Sequence, residues 1–345
     1  MKPEFGLEFV TCNLCESDKV LPFMTATDWF SQDDGQFSIV KCKECGLIYV
    51  NPRPHPDHMN LYYGEKYYTH GKAKTRETVS RRQQSAGLKK IAKSALLAHV
   101  QKDNNSQNKI LNQMTGAVLL ALFRNKIISR QRWGLVGKKG TLLDVGCGNG
   151  SFILGIHNDW LLDGKIKGVG TDIDSAAVDE AKNNEIDASI ADSGTLPYQD
   201  RSFDIITMKH SLEHMHNPLK TLREAWRVTK DGGYIIIEVP NIESLGPRLF
   251  RDKWSAIDAP RHLYHFNPAT LSLLVSKAGF DIEDIYKWKG SYKRDLTLKN
   301  LNKEWEKRNF SRLQKILLNK AYSIGLILIE LIYRGGAISI RARKN

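Results

Sequence analysis

Between residues 141 and 240 the apolar positions fall into short unbroken runs, separated by stretches in which they recur at helical spacing. Thr141 to Asp144, Ile166 to Thr171, Ala188 to Ala191, Phe203 to Met208 and Gly233 to Val239 each read as a strand. Ser151 to His157 and Ser175 to Asn183 read as helices, and Pro218 to Val228 opens with proline and sets Leu219, Leu222, Ala225 and Trp226 on one face. Strands that are apolar throughout are covered on both sides, so the pattern predicts an α/β fold with a doubly wound, mostly parallel sheet. Ligands of such sheets bind beyond the carboxyl ends of the strands.

The amino-terminal pattern differs. Cys12-x-x-Cys15 and Cys42-x-x-Cys45 are separated by 26 residues, spacing that lets two tight knuckles offer four thiolates to one tetrahedral zinc ion with no position left for water. Phe37 to Cys42 and Leu47 to Val50 read as paired strands, so residues 1–60 are expected to form a zinc-ribbon module. Asn51-Pro52-Arg53-Pro54-His55-Pro56 stops regular structure. The tyrosine-rich tract Leu61 to Tyr68 suits either a seal between domains or a substrate entrance.

Residues 61–140 read as a basic helical connector or cap, with apolar patches from Leu88 to Val100 and from Ile110 to Phe123. Residues 71–139 hold 16 Lys/Arg against 2 Asp/Glu, and residues 286–345 hold 15 against 4, so the net charge of +13 belongs to two attachments around an acidic centre. Arg81, Arg82, Lys89, Lys90 and Lys93 suit phosphate or an anionic membrane, but no nucleic-acid-binding motif accompanies them. The chain shows neither a signal-peptide pattern nor an apolar run of roughly eighteen residues, and cytoplasmic residence is expected.

The first apolar run ends in Asp144-Val145-Gly146-Cys147-Gly148-Asn149-Gly150, directly before a helix. Glycines there permit left-handed backbone and close approach of a ligand. The spacing is Gly-x-Gly-x-Gly, not the dinucleotide Gly-x-Gly-x-x-Gly, and a carboxylate two residues before the first glycine would repel a pyrophosphate. It suits a sulfonium with a nearby ammonium, so charge favours S-adenosylmethionine. Asp172, after the second run, can accept from both ribose hydroxyls, and Asp192, after the third, from an adenine amine. Ile173, Ser193, Lys209 and His210 complete the candidate cofactor set with Asp144, Gly146, Cys147, Gly148, Gly150, Asp172 and Asp192.

Leu142 to Gly150, Asp172, Ala191-Asp192 with Leu196-Pro197 and Phe203-Asp204, and Ser211-Leu212-Glu213-His214-Met215-His216-Asn217-Pro218 resemble the successive motifs of class I S-adenosylmethionine-dependent methyltransferases. The branch is that of the small-molecule enzymes related to ubiquinone O-methyltransferases. Members with an amino-terminal zinc ribbon, many in sugar or surface-polysaccharide biosynthesis, share a tract like Asp258-Ala259-Pro260-Arg261-His262-Leu263-Tyr264-His265-Phe266. The resemblance implies a seven-stranded sheet with an antiparallel last strand, Phe280 to Tyr286 being penultimate and Ala337 to Arg343 last, in a catalytic domain over 141–345. The polar and aromatic tract around Trp254 reads as an acceptor-site segment within 241–266, and the connection between the last two strands is much longer than the family's, a helical insertion over 290–335. The insertion's apolar stretch, Leu313 to Tyr333, suits core packing, a homodimer interface or contact with the inner face of a membrane beside Lys315, Lys320 and Arg334.

Methyl transfer to a hydroxyl needs alignment and a base. His262, His210, His265 and His214 are the candidates, with Glu238, Asn241, Trp254 and Arg261 as acceptor contacts, Trp254 as a wall or lid. The expected acceptor is a small molecule, sugar or glycan, nucleotide-linked or lipid-linked. The alternatives are tRNA or rRNA methylation and a catalytically inactive scaffold. Met208-Lys209-His210-Ser211 is not the Asn/Asp-Pro-Pro-aromatic site of many base N-methylating enzymes.

Overall fold

The computed structural model describes residues 6–30, 35–63, 133–135, 138–159, 162, 164–288, 294–332 and 335–345. The connector's apolar patches and its clusters Arg81, Arg82, Lys89, Lys90 and Lys93 lie outside the described residues, as do residues 64–68 of the tyrosine tract, Tyr333 and Arg334.

The amino-terminal module carries β1 (Leu7–Glu8), β2 (Val20–Thr27), β3 (Gln36–Cys42), β4 (Ile48–Val50) and β5 (Arg53–Pro54). β2, β3 and β4 are antiparallel neighbours, and β1 pairs with β5. In β3, Phe37 and Ile39 face inward while Gln36 and Ser38 face out, the period-two pattern of a sheet wet on one side.

The second unit follows as β6 (Gly140–Val145), α1 (Ser151–His157), β7 (Ile166–Asp172), α2 (Ser175–Asn183), β8 (Ala188–Ile190), β9 (Phe203–Lys209), α3 (Pro218–Val228) and β10 (Thr229–Pro240). Then come α4 (Leu245–Phe250), β11 (Tyr264–His265), α5 (Pro268–Lys277), β12 (Asp281–Trp288), α6 (Arg294–Lys307), α7 (Arg312–Ile332) and β13 (Ala337–Arg343). Seven strands form one sheet in the order β8-β7-β6-β9-β10-β13-β12. Those from β8 to β10 pair in parallel, and β13 runs antiparallel to both β10 and β12. Ile235, Ile236 and Ile237 are consecutive and all buried, so both faces of β10 are covered. α3 covers one face with Leu219, Leu222, Ala225 and Val228, whereas Trp226 stays half-buried with its indole N–H donating to the Gly279 carbonyl.

The two units share a sheet. β11, from the 241–266 segment, pairs antiparallel with β4, so a strand of the second unit forms one edge of the amino-terminal sheet. The first cysteine knuckle is fastened as well: the Asn13 side chain bonds the Asn217 side chain and the Leu219 amide, and Lys277 Nζ donates to the Leu14 carbonyl at 2.7 Å. α6 buries Leu301 and Trp305 in one cluster with Trp254, Ile257, Ile48 and Val50, and α7 packs on it through Leu318 and Tyr322.

Candidate functional site

The glycine loop leaves β6 and turns back over the sheet. Gly146 has φ +76°, and a Cβ there would stand 2.5 Å from Ser211 Cβ, so the loop can lie against the segment after β9 only with glycine at this position. Gly148 has φ +53°, and a Cβ there would meet nothing within 4 Å among the described residues, so the loop opens away from them at its second glycine. The Asp172 carboxylate closes this turn, accepting from the Gly148 amide at 2.8 Å and the Asp174 amide at 3.1 Å. Burial raises its pKa.

Asp144 is buried under the loop and accepts a 2.6 Å bond from the Thr207 hydroxyl on β9. Burial pushes its pKa up to about 7, against the opposing pull of the Thr207 bond and the Lys209 charge. Ile173 is exposed beside Asp172, and Asp192 is exposed at its turn, where it accepts from the Gly194 amide. Ser193 contacts Met215 Sδ and the Thr221 hydroxyl. Cys147 does not turn its thiol toward the loop's opening. A Cβ on Gly170 would lie 2.5 Å from its Sγ, and the side chain packs with Ile153, Val178 and Ala181, because the space inside the loop's bend is the apolar interior between α1 and β7.

Beyond β9 and β10 lies a chain of charged groups. Lys209 Nζ is 3.0 Å from Glu238 Oε1 and sits over the Trp133 ring. His210, in left-handed backbone at φ +54°, places Nδ1 3.4 Å from Glu213 Oε1 and Nε2 3.4 Å from Glu238 Oε1. Burial opposes the imidazolium, but the two carboxylates prevail and raise its pKa to about 9. Glu238 goes down to about 2: burial raises it, and Lys209 with His210 more than compensates.

Three further histidines gather around Glu213. One ligating atom each of Glu213, His214 and His262 lie within 4.8 Å of one another, and the His214 and His262 rings meet edge to face at 4.6 Å. His214 Nδ1 is 3.0 Å from both the Arg261 carbonyl and the Tyr63 hydroxyl, and His262 Nδ1 is 2.8 Å from the Ala256 carbonyl. Burial holds His214 down to about 4 and His265 down to about 3, so both are neutral at ordinary pH.

Several expected acceptor contacts are structural instead. Arg261 is only 1% exposed and bonded to Asp28, Asp258 and the Tyr62 carbonyl, which commits its guanidinium to joining the two units. Trp254 is buried in the cluster between the units and forms no lid, the ring lying where any Cβ on Gly246 would fall. Asn241 is buried, its amide donating to the Gly335 carbonyl and its oxygen accepting from the Glu243 amide. His265 lies in β11, buried by the strand pairing that joins the sheets. Glu213 and Tyr63, which lie within the Ser211 to Pro218 motif and the tyrosine tract, and Thr207 of β9 are members of the site to which the sequence assigns no role of their own. For Glu213 a signal existed: it stands three residues after His210 and next to His214.

In the amino-terminal module the four Sγ atoms lie within 4.8 Å of one another, with Cys12 to Cys45 at 3.4 Å and Cys15 to Cys42 at 3.5 Å. A disulfide would need about 2.05 Å, and four sulfurs at about 2.3 Å from a central ion stand about 3.8 Å apart. The cluster can therefore hold a metal ion with little movement.

Residues 121–285 match the family model described as a methyltransferase domain. A "probable S-adenosylmethionine-dependent methyltransferase" of Mycolicibacterium smegmatis is 28% identical over 148 residues, 41% of this chain and 52% of that protein. A demethylmenaquinone methyltransferase of Renibacterium salmoninarum is 29% identical over 133 residues, 36% of this chain and 55% of that protein. The chain thus spans about half the length of these curated relatives. Among solved structures, a SAM-dependent methyltransferase from Aquifex aeolicus is 20% identical with a TM-score of 0.41, covering 65% of this chain and 90% of that one. The matched segment and the sheet order have the fold of class I S-adenosylmethionine-dependent methyltransferase domains.

Proposed function

We propose that the chain transfers a methyl group from S-adenosylmethionine to a hydroxyl of a small-molecule acceptor: a sugar, a glycan or a lipid-linked intermediate, as in cytoplasmic polysaccharide biosynthesis. The observation that carries this reading is the open turn at Gly148, closed by Asp172, at the same edge of the sheet as the histidine and carboxylate cluster after β9 and β10. When bound, S-adenosylmethionine supplies a methyl group already activated on a sulfonium. Asp172 would hold the ribose, Asp192 the adenine amine, Ile173 an adenine face, and Asp144 the positive end beneath the loop.

What remains for the chain is to align the acceptor oxygen, exclude water and take its proton. We assign that step to His210. Its side chain is 28% exposed, while His262 and His265 lie buried behind it. Glu213 and Glu238 fix the ring and stabilise the imidazolium that forms. His214, held neutral by burial, and His262 act as positioning residues around Glu213. The cysteine cluster carries structural zinc in a ribbon-like module, four sulfur ligands leaving no open position for chemistry.

The test is incubation of the full chain with isotope-labelled S-adenosylmethionine and a panel of nucleotide sugars, polysaccharide fragments, polyprenyl-linked glycans and tRNA, read by product mass and fragmentation. A methyl ether on a sugar or glycan supports the reading, label on RNA replaces it, and absence of cofactor binding by calorimetry leaves a scaffold.

A further inference from the structure

α7 has two unlike sides. Leu318 and Tyr322 turn inward, the Tyr322 ring lying 5.6 Å from Trp305 and 6.0 Å from Phe250. Leu313, Leu317 and Ile324 turn outward with exposures of 66%, 59% and 59%, and Ile316 flanks them at 45%. Their spacing of four and seven residues places them on one stripe, in which Lys320 occupies the intervening position. Among the described residues nothing covers this stripe, and a contiguous exposed apolar stripe marks an interaction site.

The charge around the stripe narrows what that partner is. Residues 311–325 contain Arg312, Lys315 and Lys320 and no acidic residue. On α4, beside the Phe250 to Tyr322 contact, Leu249 is 58% exposed between the exposed Arg248 and Arg251. A two-fold dimer formed over this ridge would bring the same basic residues of both copies together, a like-charge arrangement that costs affinity. An anionic phospholipid surface has the opposite chemistry: apolar residues enter the boundary of head groups and acyl chains, and lysine and arginine stems reach back to the phosphates. No helix among the described residues is long and apolar enough to cross a membrane, so the contact is with the surface.

We infer that α7, through Leu313, Ile316, Leu317 and Ile324 with Lys320 and Arg312, seats this protein on an anionic membrane surface. The inference does not depend on which acceptor is methylated.

The experiment is co-sedimentation of the full chain with phosphatidylcholine vesicles prepared with and without phosphatidylglycerol. Binding is expected to the anionic vesicles only and to weaken as salt is raised. Lys320→Glu should lower the partition coefficient about 30-fold, from roughly 1 kcal/mol for each of two charge units, and Leu313→Ser with Leu317→Ser roughly tenfold for each side chain. Unchanged thermal midpoints in both variants would show that the fold is retained. The inference is overturned by equal binding to neutral and anionic vesicles, by binding that survives both variants, by no vesicle binding at low salt, or by a stable dimer that these substitutions dissociate.

Discussion

Asp28 and Arg261 are 233 residues apart in sequence and form a fully buried ion pair at 2.7 Å, each side chain no more than 2% exposed. Asp28 follows β2 in the amino-terminal module, and Arg261 precedes His262 in the segment that reaches the site. Removing one partner of a buried pair leaves the other charged and without solvent, so Asp28→Ala should destabilise the chain by about 3 kcal/mol. Asp258 still accompanies Arg261, which keeps the loss at the lower end of the range. Urea unfolding of the full chain measures this, and an unchanged midpoint would show that the pair does not hold the units together.

With His210 as the proposed base, its titration is expected to set the pH dependence of turnover. Its imidazolium, stabilised by Glu213 and Glu238, persists up to about pH 9, and a base must be neutral to accept a proton. Activity should therefore rise with pH and level off near 9. Glu238→Gln removes one of the two stabilising charges and should move the rising limb to lower pH, while His210→Ala should reduce kcat by about 10²-fold or more. A pH profile of kcat/KM on wild type and both variants tests this. A limb unmoved in Glu238→Gln would assign the titration to another group.

Asp144 makes the opposite linkage, through the cofactor. Its pKa is raised by burial to about 7, so the unliganded fold favours the protonated acid. The stability it lends is complete below the ordinary carboxylate pKa and is lost as pH rises through 7, because the buried site must then hold a charge. A cationic ligand beside it favours the ionised form. Affinity for S-adenosylmethionine should increase between pH 6 and 8 as the unliganded chain becomes less stable, and Asp144→Asn should flatten both trends. Calorimetric titration across that range, paired with thermal melts, provides the check.

The succession of β6 to β10 along the chain and the bounds of α1, α2 and α3 were legible because each rests on local pattern, apolar runs, glycine at a turn, proline at a helix start, although β10 starts at Thr229 and not at the expected Gly233. The two final strands were legible only through family resemblance. What local pattern could not carry was pairing across the chain. Nothing in Tyr264-His265 says that this dipeptide will pair with Tyr49-Ile48, and without that pairing Arg261 looks like an anion-binding arginine and Trp254 like a lid. Cys147 misled for a related reason. A residue between two loop glycines was expected at the ligand, but the left-handed turns on either side send its side chain into the core.

The cysteine cluster gives the last expectation. Its first knuckle is bonded to the second unit through Asn13 and Leu14, and the second knuckle leads into β4, whose partner β11 follows directly on His262 and Leu263. The Val50 amide donates to the Leu263 carbonyl and the Leu263 amide to the Glu213 carbonyl, so a continuous set of backbone bonds runs from the sulfurs to the acid that faces His210. A module this small has little core of its own, so the proposed zinc ion is expected to contribute to its folding. The purified chain should carry one zinc ion, read by elemental analysis. A strong chelator should make four thiols titratable, lower the thermal midpoint and raise amide exchange in β4 and β11 before it does so in β6 and β9. Cys42→Ser should reproduce the exchange pattern without chelator. Loss of zinc with unchanged exchange in β11 would mean that the module and the site fold independently.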